Sequence, residues 1–109
     1  MLRIKDNVDL KELEKYGYLQ GKDTLNVPYS AYGKVFEVDY SEELYDTIID
    51  VVQIDKKTKQ IELIRTSKKA FRGFINDNVQ LLEFYINDLI TAGLVEKVDQ
   101  WQQKKCLKN

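Results

Sequence analysis

The sequence predicts an α+β domain: a small antiparallel sheet of three to five strands, with a short N-terminal helix and a long C-terminal helix packed on it. Three observations carry this expectation. Residues 34–65 contain strand-like runs, one alternating between apolar and polar positions and one apolar on both faces. Residues 77–92 repeat apolar side chains at helical spacing. The 109-residue length, with 43% apolar and 32% charged residues, fits one hydrophobic core and excludes a two-lobed enzyme. Residues 1–98 are expected to form the domain and residues 99–109 a polar C-terminal tail.

Each element has a local cause. Leu2, Arg3 and Ile4 suit a short strand. Asp9 is an N-cap candidate, and Glu12 three residues on can complete a capping box, while Val8 and Leu13 hold the staple positions. Leu10, Leu13 and Tyr16 form one stripe, and Gly17 can end the helix in the left-handed conformation with Tyr18 folding back on Leu13. After a polar connection at residues 20–26, Phe36, Val38 and Tyr40 alternate with Glu37 and Asp39. Strict alternation would put the three apolar side chains on one face and both carboxylates on the other. Residues 47–54 are apolar on both faces, as in a central strand. Residues 55–59 have hairpin-loop length and polarity, although Lys59 stands where Gly or Asn is more comfortable. The return strand carries Ile61 and Leu63 inward.

The expected long helix opens on a capping box of Asp77 and Gln80. At about 100° per residue, Val79, Leu82, Ile86, Leu89 and Ile90 share a narrow arc. Gly93 is placed as the residue after the C-cap, with Leu94 touching Leu89 and residues 94–98 adding an edge strand. Phe84 lies about 140° from Val79 around the helix, so a second layer or a partner must cover it.

Composition removes several chemistries. There is no His and a single Cys, Cys106, so Ser-His-Asp and Cys-His catalysis are excluded and zinc lacks ligands. No phosphate-cradling glycine pattern or calcium loop occurs. The expectation is a protein that is not an enzyme, needs no cofactor and holds no metal. No apolar run reaches the length of a signal segment or membrane span, which predicts a cytoplasmic protein.

The net charge of −1 hides a segregation: residues 35–55 hold seven acids and no base, and residues 56–72 hold seven bases with Glu62 as the one acid. Arg65, Lys68, Lys69 and Arg72 with Phe71 and Phe74 could neutralise phosphates and stack on unpaired bases, the pattern of a single-strand nucleic-acid edge. The same residues equally suit a solvated loop whose Phe side chains plug the core, and a pI near 5.5 is far from that of most nucleic-acid domains. The acids permit a solvated face, a carboxylate pair for a cation or acid-base work, or a negative docking ridge of Glu37, Asp39, Glu42, Glu43 and Asp46. Six of the seven tyrosines precede residue 47 and suit either half-buried strands or a partner surface.

The segment Arg3-Ile4-Lys5-Asp6-Asn7-Val8-Asp9-Leu10-Lys11-Glu12-Leu13-Glu14-Lys15-Tyr16-Gly17-Tyr18, with the later Asp88-Leu89-Ile90-Thr91-Ala92-Gly93-Leu94-Val95-Glu96-Lys97-Val98, resembles a group of small uncharacterised proteins encoded by phages and prophages of low-GC Gram-positive bacteria. The shared residues are caps and core positions. The resemblance implies a scaffold and a mobile-element context, in the cytoplasm of an infected or lysogenic cell, and carries over no functional residue. The functional expectation is a non-catalytic accessory protein that binds a host or phage protein through the acidic ridge and Phe84, with inhibition of a host defence protein as one purpose. The alternative is a nucleic-acid-binding module that uses residues 65–74. Homo-oligomerisation is compatible with either.

Overall fold

Strands rather than helices dominate the chain. The computed structural model describes residues 1–23, 26–69 and 73–98. The tail with Trp101 and Cys106, and Phe71 and Arg72 of the basic segment, lie outside the described residues. Seven strands occur among those described: β1 (Leu2–Ile4), β2 (Leu19–Gln20), β3 (Ala31–Ser41), β4 (Asp46–Asp55), β5 (Ile61–Ser67), β6 (Phe74–Ile75) and β7 (Val95–Lys97). Five form an antiparallel sheet in the order β2-β3-β4-β5-β6, and β1 pairs with β7 in a second, two-stranded sheet. The two sheets are stitched where Arg3 bridges Gln60 and the Ile4 amide donates to the Lys59 carbonyl at 2.8 Å.

The expected architecture is corrected in its helices. Among the described residues there is no long C-terminal helix; two short ones, α1 (Val79–Tyr85) and α2 (Asn87–Thr91), meet at Ile86, whose φ of −101° and ψ of 19° leave the helical region. The cause is local. Asn87 and Asp88 are poor helix formers, and the Asp88 carboxylate takes the Leu89 amide at 2.8 Å. The expected Asp77 cap is also displaced. Asn76 accepts from the Asn78 amide, and Asn78 caps the Leu81 amide, both at 3.0 Å, so the helix starts one residue later. Leu82, Ile86 and Leu89 are buried as the stripe requires, whereas Val79 and Ile90, at its margins, are exposed.

The N-terminal helix is a 3-10 helix over Leu10–Tyr16, capped by the Asp9 carboxylate on the Lys11 amide at 3.0 Å. Its apolar residues recur every third position, and three residues per turn is the 3-10 period, so that winding aligns Leu10, Leu13 and Tyr16 on the core. Gly17 and Gly93 both have positive φ, 88° and 77°. Each closes a Schellman motif: Tyr18 and Leu94 donate to the carbonyls of Leu13 and Leu89, five residues back.

Pairing of Tyr32 with Ile54, and of Ile54 with Ile61, aligns these side chains on one sheet face. That face, with Val52 and Leu63, meets the 3-10 helix, α1 and α2 in the main core. Ile49, Val51, Ala31 and Val27 form a smaller cluster. β4 is central and buried on both faces, as its double-sided apolar pattern dictates.

The hairpin loop between β4 and β5 explains the residue expected to be uncomfortable there. Lys59 has φ of 63°, a left-handed conformation that glycine adopts at no steric cost. Its ammonium donates to the carbonyls of Asp6 at 2.9 Å and Val8 at 2.7 Å, fastening the segment before the 3-10 helix to the sheet. Lys59→Ala should therefore destabilise the fold by about 1 to 3 kcal/mol, the worth of hydrogen bonds to a charged group. Lys59→Gly should remain below wild type despite its relaxed backbone; urea denaturation of both variants checks this. In the main core, Ile86→Ala should cost about 2 to 5 kcal/mol in the same measurement.

Candidate protein-docking surface

The β3–β4 hairpin carries most of the acidic block, and its two halves differ. In the proximal half, β3 is paired without interruption from Ala31 to Glu37. Between Glu37 and Asp39 the register shifts through a β-bulge, with Val38 inserted. The bulge breaks the expected alternation. Glu37 pairs with Ile49 and Asp39 with Ile48, so the two carboxylates fall on opposite faces of the sheet, and Phe36 and Tyr40 likewise part company. Phe36 packs against Tyr85 with ring centroids 4.3 Å apart, while Val38 and Tyr40 are exposed.

Five carboxylates were expected to form one ridge, and the hairpin places them unequally. Glu37 is ion-paired with Lys68. Asp46 is buried at the base of the loop, where it accepts from the Thr47 amide at 2.8 Å and from the Lys69 amide. The Ser67 hydroxyl, above all, holds its carboxyl below the usual carboxylate range. Asp39, Glu42 and Glu43 remain exposed, and no ion pair involves them among the described residues. Beside them stand Leu44, 68% exposed, and Tyr45, 73% exposed. Tyr45 adopts φ of 49°, a conformation that costs an aromatic residue about 1 to 2 kcal/mol.

The described bases of the basic segment are engaged within the fold. Arg65 grips Asp50 through two parallel bonds of 2.8 and 2.9 Å, Lys68 holds Glu37, and the Lys69 ammonium donates to the Tyr45 carbonyl. Phe74 is exposed on the short β6. Phe84 is 75% exposed on α1 and touches Tyr85 edge-on at 6.0 Å, on a different element from the hairpin acids. The tyrosines divide: Tyr18 and Tyr32 are buried, Tyr16 and Tyr85 half-buried, and Tyr29, Tyr40 and Tyr45 exposed.

Asp50 is the residue whose role the sequence conceals. Its side chain has no exposure, yet it accepts both Arg65 bonds and the Tyr85 hydroxyl at 2.7 Å. Arg65 and Tyr85 hold its carboxyl below the ordinary range, and burial with the Asp50 bond pushes the Tyr85 phenol up to about 12. Both shifts run away from neutrality, the reverse of what acid-base work at neutral pH requires. The available signal was Asp50 standing within an otherwise apolar run, Ile48-Ile49-Asp50-Val51-Val52.

A cleft of about 650 Å³ opens where β5, the β6–α1 connection and β1 diverge; Glu62, Asp77 and Lys97 are its charged lining. Among the described residues no group of His, Cys, Asp and Glu is placed to hold a metal ion, and no helix is long and apolar enough to cross a membrane. No family model, curated protein or solved structure matches the chain.

Asp50→Asn should destabilise the fold toward the lower end of about 3 to 5 kcal/mol, because Arg65, 34% exposed, recovers some hydration. The Asp50 pKa is lowered on folding, so its stabilisation is present above the unfolded value of about 3.9 and is lost as pH falls through the folded one. The Tyr85 pKa is raised, so its stabilisation holds below about 10. That contribution fades as pH rises through about 12. Melting curves against pH should show both losses in the wild type and a shallower acid limb in the variant.

Proposed function

We propose that this chain is a non-catalytic protein-interaction module whose β3–β4 hairpin end docks on a basic surface of a partner protein. The observation that supports it is the contrast within one charge block. Asp46 and Asp50 are buried in structural bonds and Glu37 is paired, while Asp39, Glu42 and Glu43 stand exposed beside Val38, Tyr40, Leu44 and Tyr45. Aromatic and acidic side chains offered together supply contact area and long-range steering, and Tyr45 is kept in a strained conformation without being buried. Phe84, the apolar residue expected at the partner surface, is exposed on α1 beside Tyr85, whose ring packs on Phe36 of β3.

The likeness of the chain's capped segments to phage and prophage proteins supports a cytoplasmic accessory role in an infected or lysogenic bacterium. The partner is then a host or phage protein, with restraint of a host defence protein as one outcome of binding. Nucleic-acid recognition by residues 65–74 has less support, since the described bases Arg65, Lys68 and Lys69 already have acceptors.

The test begins with capture of the partner from host lysate and identification by mass spectrometry, followed by binding kinetics. Reversing Asp39, Glu42 and Glu43 to Lys together should leave the melting temperature near wild type and slow association at least tenfold at low ionic strength, with the difference shrinking in salt. Equal association rates would make these acids a solvated surface only. Tyr45→Gly should stabilise the free protein by about 1 kcal/mol, through relief of the left-handed strain, and weaken the complex.

A further inference from the structure

The hairpin end is also the place where the sheet stops being covered along its edge. β2 pairs with β3 only at Tyr32 and Gly33, so from Lys34 to Ser41 the outer side of β3 has no neighbouring strand among the described residues. The direction of its main-chain groups follows from the pairing. The Ser30 carbonyl accepts from the Lys56 amide on the β4 side, while Gly33 faces Leu19 of β2. Main-chain groups alternate sides along a strand, so the N–H and C=O of Val35 and Glu37 point to the open side. Two donors and two acceptors, about 7 Å apart along the strand, are thus presented in ladder geometry.

Self-pairing of this edge is limited by charge in one register: centred on Glu37 it would bring two carboxylates face to face, which destabilises a ladder. Centred on Phe36 it would not, so a concentration-dependent dimer of the free protein would overturn a foreign occupant. The bulge at Val38 and the Asp39 carboxylate, which takes the Tyr40 amide at 2.8 Å, end the usable edge after Glu37. These features obstruct a like-charged strand and leave the edge open to an oppositely charged one. Asp39, Glu42 and Glu43 lie just beyond it, and Val38 supplies exposed apolar contact beside it, while Val35 is half-buried against the smaller core cluster.

Resting on the docking reading above, we propose that the partner engages by strand addition: a short extended peptide segment bearing Lys or Arg, with apolar residues between, pairs antiparallel with the outer edge of β3 at Val35 and Glu37. Main-chain bonds hold the segment, and its cations face the hairpin acids. The occupant is a strand of a different protein and not a second copy of this chain.

A synthetic decapeptide alternating Lys and Val is the probe, read by amide chemical shifts and hydrogen exchange of the intact protein. Binding should shift the resonances of residues 34–38 and slow exchange at Val35 and Glu37 at least tenfold. Methylating the alternate peptide nitrogens that face β3 should abolish this at unchanged charge, and a Glu-for-Lys peptide should not bind. Glu37→Pro in the protein should block the edge while leaving the β3–β4 ladder intact, because that amide points outward. If the peptide fails to bind at millimolar concentration, binds equally when N-methylated, or shifts only residues 42–45, strand addition is overturned. The docking reading fails separately, through unchanged association rates of the Asp39, Glu42 and Glu43 reversal with the captured partner. The N-methylated peptide keeps the result decisive if Glu37→Pro does not fold.

Discussion

The fold depends on one buried carboxylate. Asp50 sits in the middle of the central strand with no exposure, and removing such a charge from water costs several kcal/mol unless its lone pairs are satisfied. Arg65 from the neighbouring strand and Tyr85 from α1 supply three bonds to it. Those bonds also fix geometry. A one-residue slip of β4 would swap the faces of its side chains, leaving Asp50 without Arg65 and putting Val51 where the polar group now lies. Tyr85 ends α1 at this point, and its ring lies on Phe36, so the register of the sheet and the seat of the helix are set by the same contact.

Stability is therefore unevenly spread along the hairpin. Below the bulge, β3 and β4 are covered by α1 on one face, with Ile49 and Val51 packed in the smaller cluster. Beyond it, Ser41 pairs with Asp46 around a loop whose side chains are in water, held by the bonds of Asp46 and Lys69. Asp46 thus separates the part of the acidic block that builds the fold from the part that faces outward. Strain at Tyr45 is tolerable there because the ladder beneath it is fixed independently.

Much of the fold was legible where one residue fixes one local event. The caps at Asp9, Gly17 and Gly93, the central strand, and the loop at residues 55–59 follow from side-chain chemistry within a few residues. The features that escaped depend on contacts between distant residues. The spacing of Leu10, Leu13 and Tyr16 fits a 3-10 or an α-helix until the core it packs on is known. The break at Ile86 was weakly marked by Asn87-Asp88 and hidden by the regular stripe of Leu82, Ile86 and Leu89. The bulge at Val38 left no mark, since Phe36, Val38 and Tyr40 alternate perfectly in the sequence. For the site, Glu42 and Glu43 were identifiable as surface acids and Asp50 was marked by the apolar run around it, whereas Asp46 looked identical to its exposed neighbours. The distant partners Lys69 and Arg65 distinguish structural from free carboxylates.

The segregation of charge along the chain acquires a reason in three dimensions. An acidic block followed by a basic block repels within each block in an extended chain, but an antiparallel turn between them lays one against the other. The loop at residues 55–59 is that turn, and it sets Asp50 beside Arg65, Glu37 within reach of Lys68, and Asp46 against the Lys69 amide. Complementary charges folded together in this way favour the native pairing over alternatives that leave like charges opposed. The cancellation runs along the sheet and stops at the hairpin end, because the basic strand is shorter than the acidic hairpin: β5 ends at Ser67, opposite Ile48, while β3 and β4 continue to the Ser41–Asp46 pair. Asp39, Glu42 and Glu43 are the charges left over by that difference in length. The same pairing that stabilises the domain thus leaves these three carboxylates without an ion pair among the described residues at one exposed, tyrosine-flanked end, with the Lys69 ammonium held at the Tyr45 carbonyl.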